Sequence, residues 1–145
     1  MSDSFKYLRV LRSFDLDGVI FLDGFICLTP TSYEVIIVTG RSYEEAPDTI
    51  AWLRDNGITN QVFFNPTKFN DKTRVDSGKH KARILTEFLK KGYDRIIHFD
   101  DDIHQINVIK SICPKEIIVV QVNTNGLIEL ENVESSKGYL LESLK

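Results

Sequence analysis

The stretch "YEVIIVTGRSYEEAPDTIAWLRDNG", residues 33–57, decides the fold. It opens on a β-branched run, Val35 to Val38, with no polar alternation, the pattern of a strand covered on both faces. It then switches to a helical pattern. Ser42 stands as an N-cap with Glu45 three residues on, Pro47 falls near the first turn, where its missing N–H costs least, and Gly57 closes the run. A strand that passes straight into a helix predicts a βαβ unit and therefore a parallel sheet.

The same alternation continues on both sides. Upstream, "YLRVLRSF" (7–14) predicts a strand, and "VIFLDGFICL" (19–28) predicts a small hairpin turning at Asp23-Gly24. Downstream, "QVFF" (61–64) predicts a short strand and "NPTKFNDKTRVDSG" (65–78) a polar loop. "KHKARILTEFLKK" (79–91) predicts a helix with Ile84, Leu85, Phe88 and Leu89 on one face. "DRIIHF" (94–99) reads as a strand, "DDDIHQINVIKSI" (100–112) as acids entering a helix, and "KEIIVVQV" (115–122) as a buried strand. The expected fold is α/β: a Rossmann-like, doubly wound parallel sheet with a β-hairpin flap. In "NTNGLIELENVESSKGYLLESLK" (123–145), Asn125-Gly126 suggests a turn and "SSKGYLLESL" a last helix over the sheet.

At 145 residues the chain reads as a single domain, 1–145, and it shows no repeat or linker. A net charge of -3 argues against binding nucleic acid by bulk electrostatics. Cys27 and Cys113 have neither disulfide nor metal-ligand spacing and read as reduced, buried thiols. No apolar run reaches the ~20 residues of a membrane span, and the N-terminus lacks a signal-peptide core, so no membrane partner and a cytoplasmic location are expected.

"RSFDLDGVIF" (12–21) sets Asp15 and Asp17 directly after an apolar run. Residues two apart on a strand share a face, and paired carboxylates are costly unless a cation, a proton or a substrate relieves them. In doubly wound sheets ligands bind at the carboxyl ends of the strands. That rule brings Asp15 and Asp17 to one rim with Thr39-Gly40-Arg41, the lysines Lys79 and Lys81, and Asp100 to Asp102. A carboxylate there can attack a phosphoryl group and form an aspartyl-phosphate, so Asp15 is the candidate nucleophile. Asp17 is the candidate general acid and base for the leaving oxygen and the attacking water. The oxygen donors suit Mg²⁺.

"FDLDGVI", "IIVTGR", "KHKARIL" and "IIHFDDD", in this order, resemble the four signature motifs of the haloacid dehalogenase superfamily, mostly phosphatases. The resemblance covers residues 8 to 122. It implies a metal held by the Asp15 carboxylate, the Asp17 backbone carbonyl and an acid of the last motif: Asp100 first, Asp101 second, with Asp102 as a helix cap. It also implies that Thr39 and Gly40 bind the phosphoryl group, that Arg41 flanks it, and that a lysine neutralises transition-state charge. The lysine position fits Lys81 better than Lys79, which is left as a further phosphate contact.

Superfamily members often carry a cap domain, and the spacing between motifs leaves no room for one here. Capless relatives often act on macromolecular phosphates or oligomerise to close the site. "TGR" is similar to the second motif of the phosphatase half of polynucleotide kinase-phosphatases, which implies nucleic-acid 3′-phosphate ends as substrate. Six basic residues in 68–83 are compatible with a backbone contact and equally with a solvated loop. The chain has no Gly-x4-Gly-Lys-Ser/Thr loop, so a kinase partner is a separate chain. The last motif has Asp102 where those relatives have arginine. Two alternatives stay open: a non-catalytic phosphate-binding or interaction module on the same fold, and a small-molecule or nucleotide phosphatase. A phospho-receiver domain is disfavoured by motif order. His80, His98 and His104 match no zinc spacing and read as structural or peripheral, and Trp52 reads as core.

Overall fold

The computed structural model describes residues 8–22, 25–26 and 34–122. The elements run β1 (Val10–Phe14), β2 (Phe21–Leu22), β3 (Phe25–Ile26), β4 (Val35–Ser42), a 3-10 turn (Tyr43–Glu45), α1 (Ala46–Asp55), β5 (Val62–Asn65), α2 (Arg74–Lys90), β6 (Arg95–Asp100), α3 (Ile103–Ile112) and β7 (Ile117–Gln121). Five strands form one parallel sheet in the order β5-β4-β1-β6-β7. From β1 in the middle of the sheet the chain winds to one edge through β4 and β5, then crosses to β6 and β7. Strand order therefore reverses between β1 and β6, and the crevice at their carboxyl ends is the expected ligand position.

Successive strand side chains point to opposite faces, so each central strand feeds two cores. On one face Phe14, Ile37, Ile97 and Phe99 pack with Leu53 of α1. On the other Leu11, Val38 and Ile96 meet Ala82 and Leu85 of α2 and Ile109 of α3. Helices on both faces give the doubly wound α/β architecture that the alternating pattern implied. β2 and β3 pair antiparallel as the expected hairpin. Its Asp23-Gly24 turn, Cys27, the Asn125-Gly126 turn and the expected last helix lie outside the described residues.

Several boundaries differ from expectation. β1 starts at Val10 rather than Tyr7, because the Arg9 N–H is taken by the Asp94 carboxylate at 2.8 Å instead of a ladder partner. Ser42 and Glu45 form their cap, with the Ser42 N–H donating to Glu45 Oε2 at 2.8 Å, but the first turn they open is 3-10. α2 begins at Arg74, not Lys79: Thr73 accepts the Asp76 N–H at 3.1 Å as N-cap. The interior Gly78 is needed there, since a Cβ would come within 2.8 Å of Val108 on α3. Cys113 is a free thiol but half-buried rather than buried. Among the described residues no helix is long and apolar enough to cross a membrane.

Candidate active site

Asp15 follows the last residue of β1, and its N–H donates to the Phe99 carbonyl at 2.9 Å, which extends the β1–β6 ladder and holds the side chain at the switch point. Asp100 ends β6 and is fully buried. One oxygen from each of Asp15, Asp100 and Asp101 lies within 4.8 Å of the others. Lys81 of α2, 1 % exposed, reaches into this group: its Nζ is 3.1 Å from Asp15 Oδ1 and 2.8 Å from Asp100 Oδ2. Lys79, two residues away and so on a different side of the helix, is exposed and lies outside the cavity lining. Asp102 caps α3, accepting the N–H groups of His104 and Gln105.

Burial drives the electrostatics. It pushes the Asp15 carboxyl well above the usual range, Asp100 adds to the effect, and Lys81 opposes it. Asp101 is also pushed up by burial, against its hydrogen bond to Asp15. Burial would raise Asp100 as well, but Lys81 and His98 outweigh it and hold this carboxyl below its usual range. Burial would lower Lys81, and Asp15 with Asp100 reverse that, so its ammonium is held charged. Three carboxylates against one ammonium leave two negative charges when all are ionised. Oxygen donors with that charge match a hard divalent cation. Gly18 closes the cradle at positive φ (83°), where a Cβ would run into the Asp101 carboxylate.

A cavity of about 630 Å³ opens beside the acids, lined by Asp15, Asp17, Gly40, Arg41, Lys81 and Asp101 among others. Asp17 turns its carboxylate toward Arg41, which grips it with two bonds of 2.7 and 2.9 Å. The same guanidinium donates to Thr49 Oγ1 at 3.0 Å and lies 5.3 Å from the Phe21 ring centroid. Thr39 is buried, outside the cavity lining, and its hydroxyl accepts the Arg41 N–H at 3.0 Å. The fourth motif, the lysine and the first acid thus converge, Gly40 and Arg41 border the cavity, and the Thr39 hydroxyl is engaged within its own strand, β4.

Two contributions escaped the sequence. Lys72 and Arg74, read as part of a basic run compatible with a backbone contact or a solvated loop and with no place in the site assigned to either, line the cavity, Lys72 being tied to Glu45 at 2.8 Å and to the Gly40 carbonyl at 3.2 Å. His98, read as structural or peripheral, is wholly buried and 2.9 Å from Asp100 Oδ2, with Ser13 Oγ 2.8 Å from its other ring nitrogen. The signal was present in "RIIHFD": His98 and Asp100 are two apart on a strand and share a face. No family model, no curated protein and no solved structure matches this chain.

Proposed function

We propose that the protein is a Mg²⁺-dependent phosphomonoester hydrolase that works through an aspartyl-phosphate on Asp15. The observation that carries this is the meeting of Asp15, Asp100 and Asp101 with a buried Lys81 at the carboxyl ends of β1 and β6, beside an open cavity. The order of the four motifs supports it too. Asp15 and Asp101 border the cavity while Asp100 lies beneath, so the first two would present oxygens to the ion and the third would anchor Lys81. Mg²⁺, when bound, supplies the positive charge that keeps Asp15 ionised and draws electron density from the phosphoryl oxygens.

An Asp15 carboxylate oxygen attacks phosphorus as the bond to the leaving oxygen breaks, and that oxygen takes a proton from the Asp17 carboxyl. Water then attacks the phosphorus of the aspartyl-phosphate, giving its proton to the Asp17 carboxylate and releasing phosphate with Asp15 restored. Arg41 trades Asp17 for a phosphoryl oxygen in this sequence, and the Lys81 ammonium offsets charge building on the phosphoryl group. The open cavity suits a phosphate carried by a large molecule, and nucleic-acid 3′-phosphate ends are the substrate implied by the "TGR" resemblance.

Hydrolysis of p-nitrophenyl phosphate with Mg²⁺ tests the activity. Turnover that is abolished by EDTA and by Asp15→Asn is the expected result. Wild-type protein that is inert on this ester and on a panel of 3′- and 5′-phosphorylated oligonucleotides, nucleotides and phosphopeptides would favour the non-catalytic phosphate-binding module.

A further inference from the structure

Beneath the acids runs a buried polar file that the mechanism above does not use. Ser13 and His98 are direct cross-strand partners in the β1–β6 register, and both are fully buried. Ser13 Oγ stands 2.8 Å from His98 Nδ1, and His98 Nε2 stands 2.9 Å from Asp100 Oδ2. Lys81 Nζ donates to that same oxygen at 2.8 Å, and the other Asp100 oxygen accepts the Asp102 N–H at 3.1 Å. An ionised carboxylate can only accept, so Nε2 carries the proton, and Nδ1 is left to accept from the Ser13 hydroxyl.

We infer that His98, oriented by Ser13, is a positioning residue that fixes the Asp100 carboxylate and, through it, the Lys81 ammonium against Asp15. Five groups from three stretches of the chain are held in a line by this file: β1 and the residue after it give Ser13 and Asp15, β6 gives His98 and Asp100, and α2 gives Lys81. Without the Nε2 donor, Asp100 Oδ2 keeps only Lys81, and a lysine stem with several rotatable bonds loses its fixed anchor. Neither Ser13 nor His98 lines the cavity, so the effect belongs to the step at phosphorus and not to substrate capture. The supporting hydrogen bonds behind a reacting group commonly change activity by one to two orders of magnitude when removed.

The test has two readouts. The first is the ¹⁵N spectrum of the His98 ring in the full chain at pH 7.5. The expected form is neutral with the proton on Nε2; a proton on Nδ1, or an imidazolium, overturns the inference. The second rests on the phosphatase activity proposed above and compares His98→Leu with His98→Gln on p-nitrophenyl phosphate with saturating Mg²⁺. His98→Leu is expected to lower kcat about 10- to 100-fold with KM within about twofold, and His98→Gln, whose amide can donate from nearly the same place, to recover most of the loss. Leucine at wild-type kcat, or glutamine no better than leucine, overturns it. Should His98→Leu fail to fold, Ser13→Ala takes its place, with a smaller fall in kcat expected at unchanged KM and an unchanged kcat overturning the inference. If the wild-type chain hydrolyses nothing, the activity reading fails by itself and the ring spectrum alone decides the place of His98.

Discussion

The two faces of the sheet are built from alternate residues of the same strands, yet they are chemically unlike. On the α1 face β1 and β6 contribute Phe14 and Phe99, whose rings stack with centroids 5.0 Å apart. One residue along, toward α2, the same strands contribute Ser13, Asp15, His98 and Asp100, all buried, around an ammonium. A buried ion cluster is weak as a stabilising device, because the charges lose water for each other. Apolar burial on the α1 face, and in the cluster of Leu11, Val38, Ile96 and Leu85 on the α2 face, offsets that. The division teaches that apolar packing, across the α1 face and around Leu11, Val38 and Ile96 on the α2 face, supplies the cohesion that lets the carboxyl end of the α2 face hold charges where water would normally disperse them.

The sharpest way to break this contrast is Lys81→Met. It is expected to lower kcat about 10²- to 10³-fold through lost charge stabilisation at the phosphoryl group. It is also expected to destabilise the fold by about 3–5 kcal/mol in urea unfolding without added metal, because buried carboxylates lose their counter-charge. Leu53→Ala on the opposite face should cost about 2–5 kcal/mol of stability through the cavity it leaves. Its kcat per folded molecule should stay at the wild-type level, and a parallel fall in kcat would show that the two faces are not separable.

A smaller effect comes from His80, which is buried with Nε2–H donating to the Phe63 carbonyl at 3.3 Å, and whose pKa burial pushes below its ordinary 6.5. The folded chain therefore resists the proton that the unfolded chain accepts. Its contribution is fully present above about pH 6.5 and is lost as pH falls below that value. Urea unfolding at pH 7.5 and 5.5 should show the loss, and His80→Gln should flatten the difference in part, since buried His98 is shifted in the same direction. Smallest of all, Lys79→Ala is expected to leave activity unchanged and stability within about 0.5 kcal/mol, as for a solvated charge. A larger loss than in Lys81→Met would put the wrong lysine at the site.

The strands and the doubly wound order were legible because unbroken apolar runs such as Val35 to Val38 have few other readings. Asp15 and the acids at Asp100 and Asp101 were legible for a related reason: acids directly after such runs fall at strand ends. The first turn of α2 was hidden, since Arg74 to Ser77 carry almost no apolar period and Gly78 argues against a helix unless the closeness of α3 is known. The grip of Arg41 on Asp17 was hidden too, because a side-chain pairing across 24 residues leaves no periodic mark. His98 was legible in principle from its spacing to Asp100. Its apolar neighbours Ile97 and Phe99 give the run the pattern of a strand buried on both faces, in which a lone histidine carries no mark of a polar partner.

The central claim is that Asp15 accepts the phosphoryl group, and a single-turnover experiment tests it most directly. The chain is mixed with a ³²P-labelled phosphomonoester and Mg²⁺, quenched in acid, digested and sequenced by mass spectrometry. The expected result is label on the peptide containing Asp15, lost in Asp15→Asn together with phosphate release. Phosphate release that survives Asp15→Asn, or label on another residue, would contradict the account.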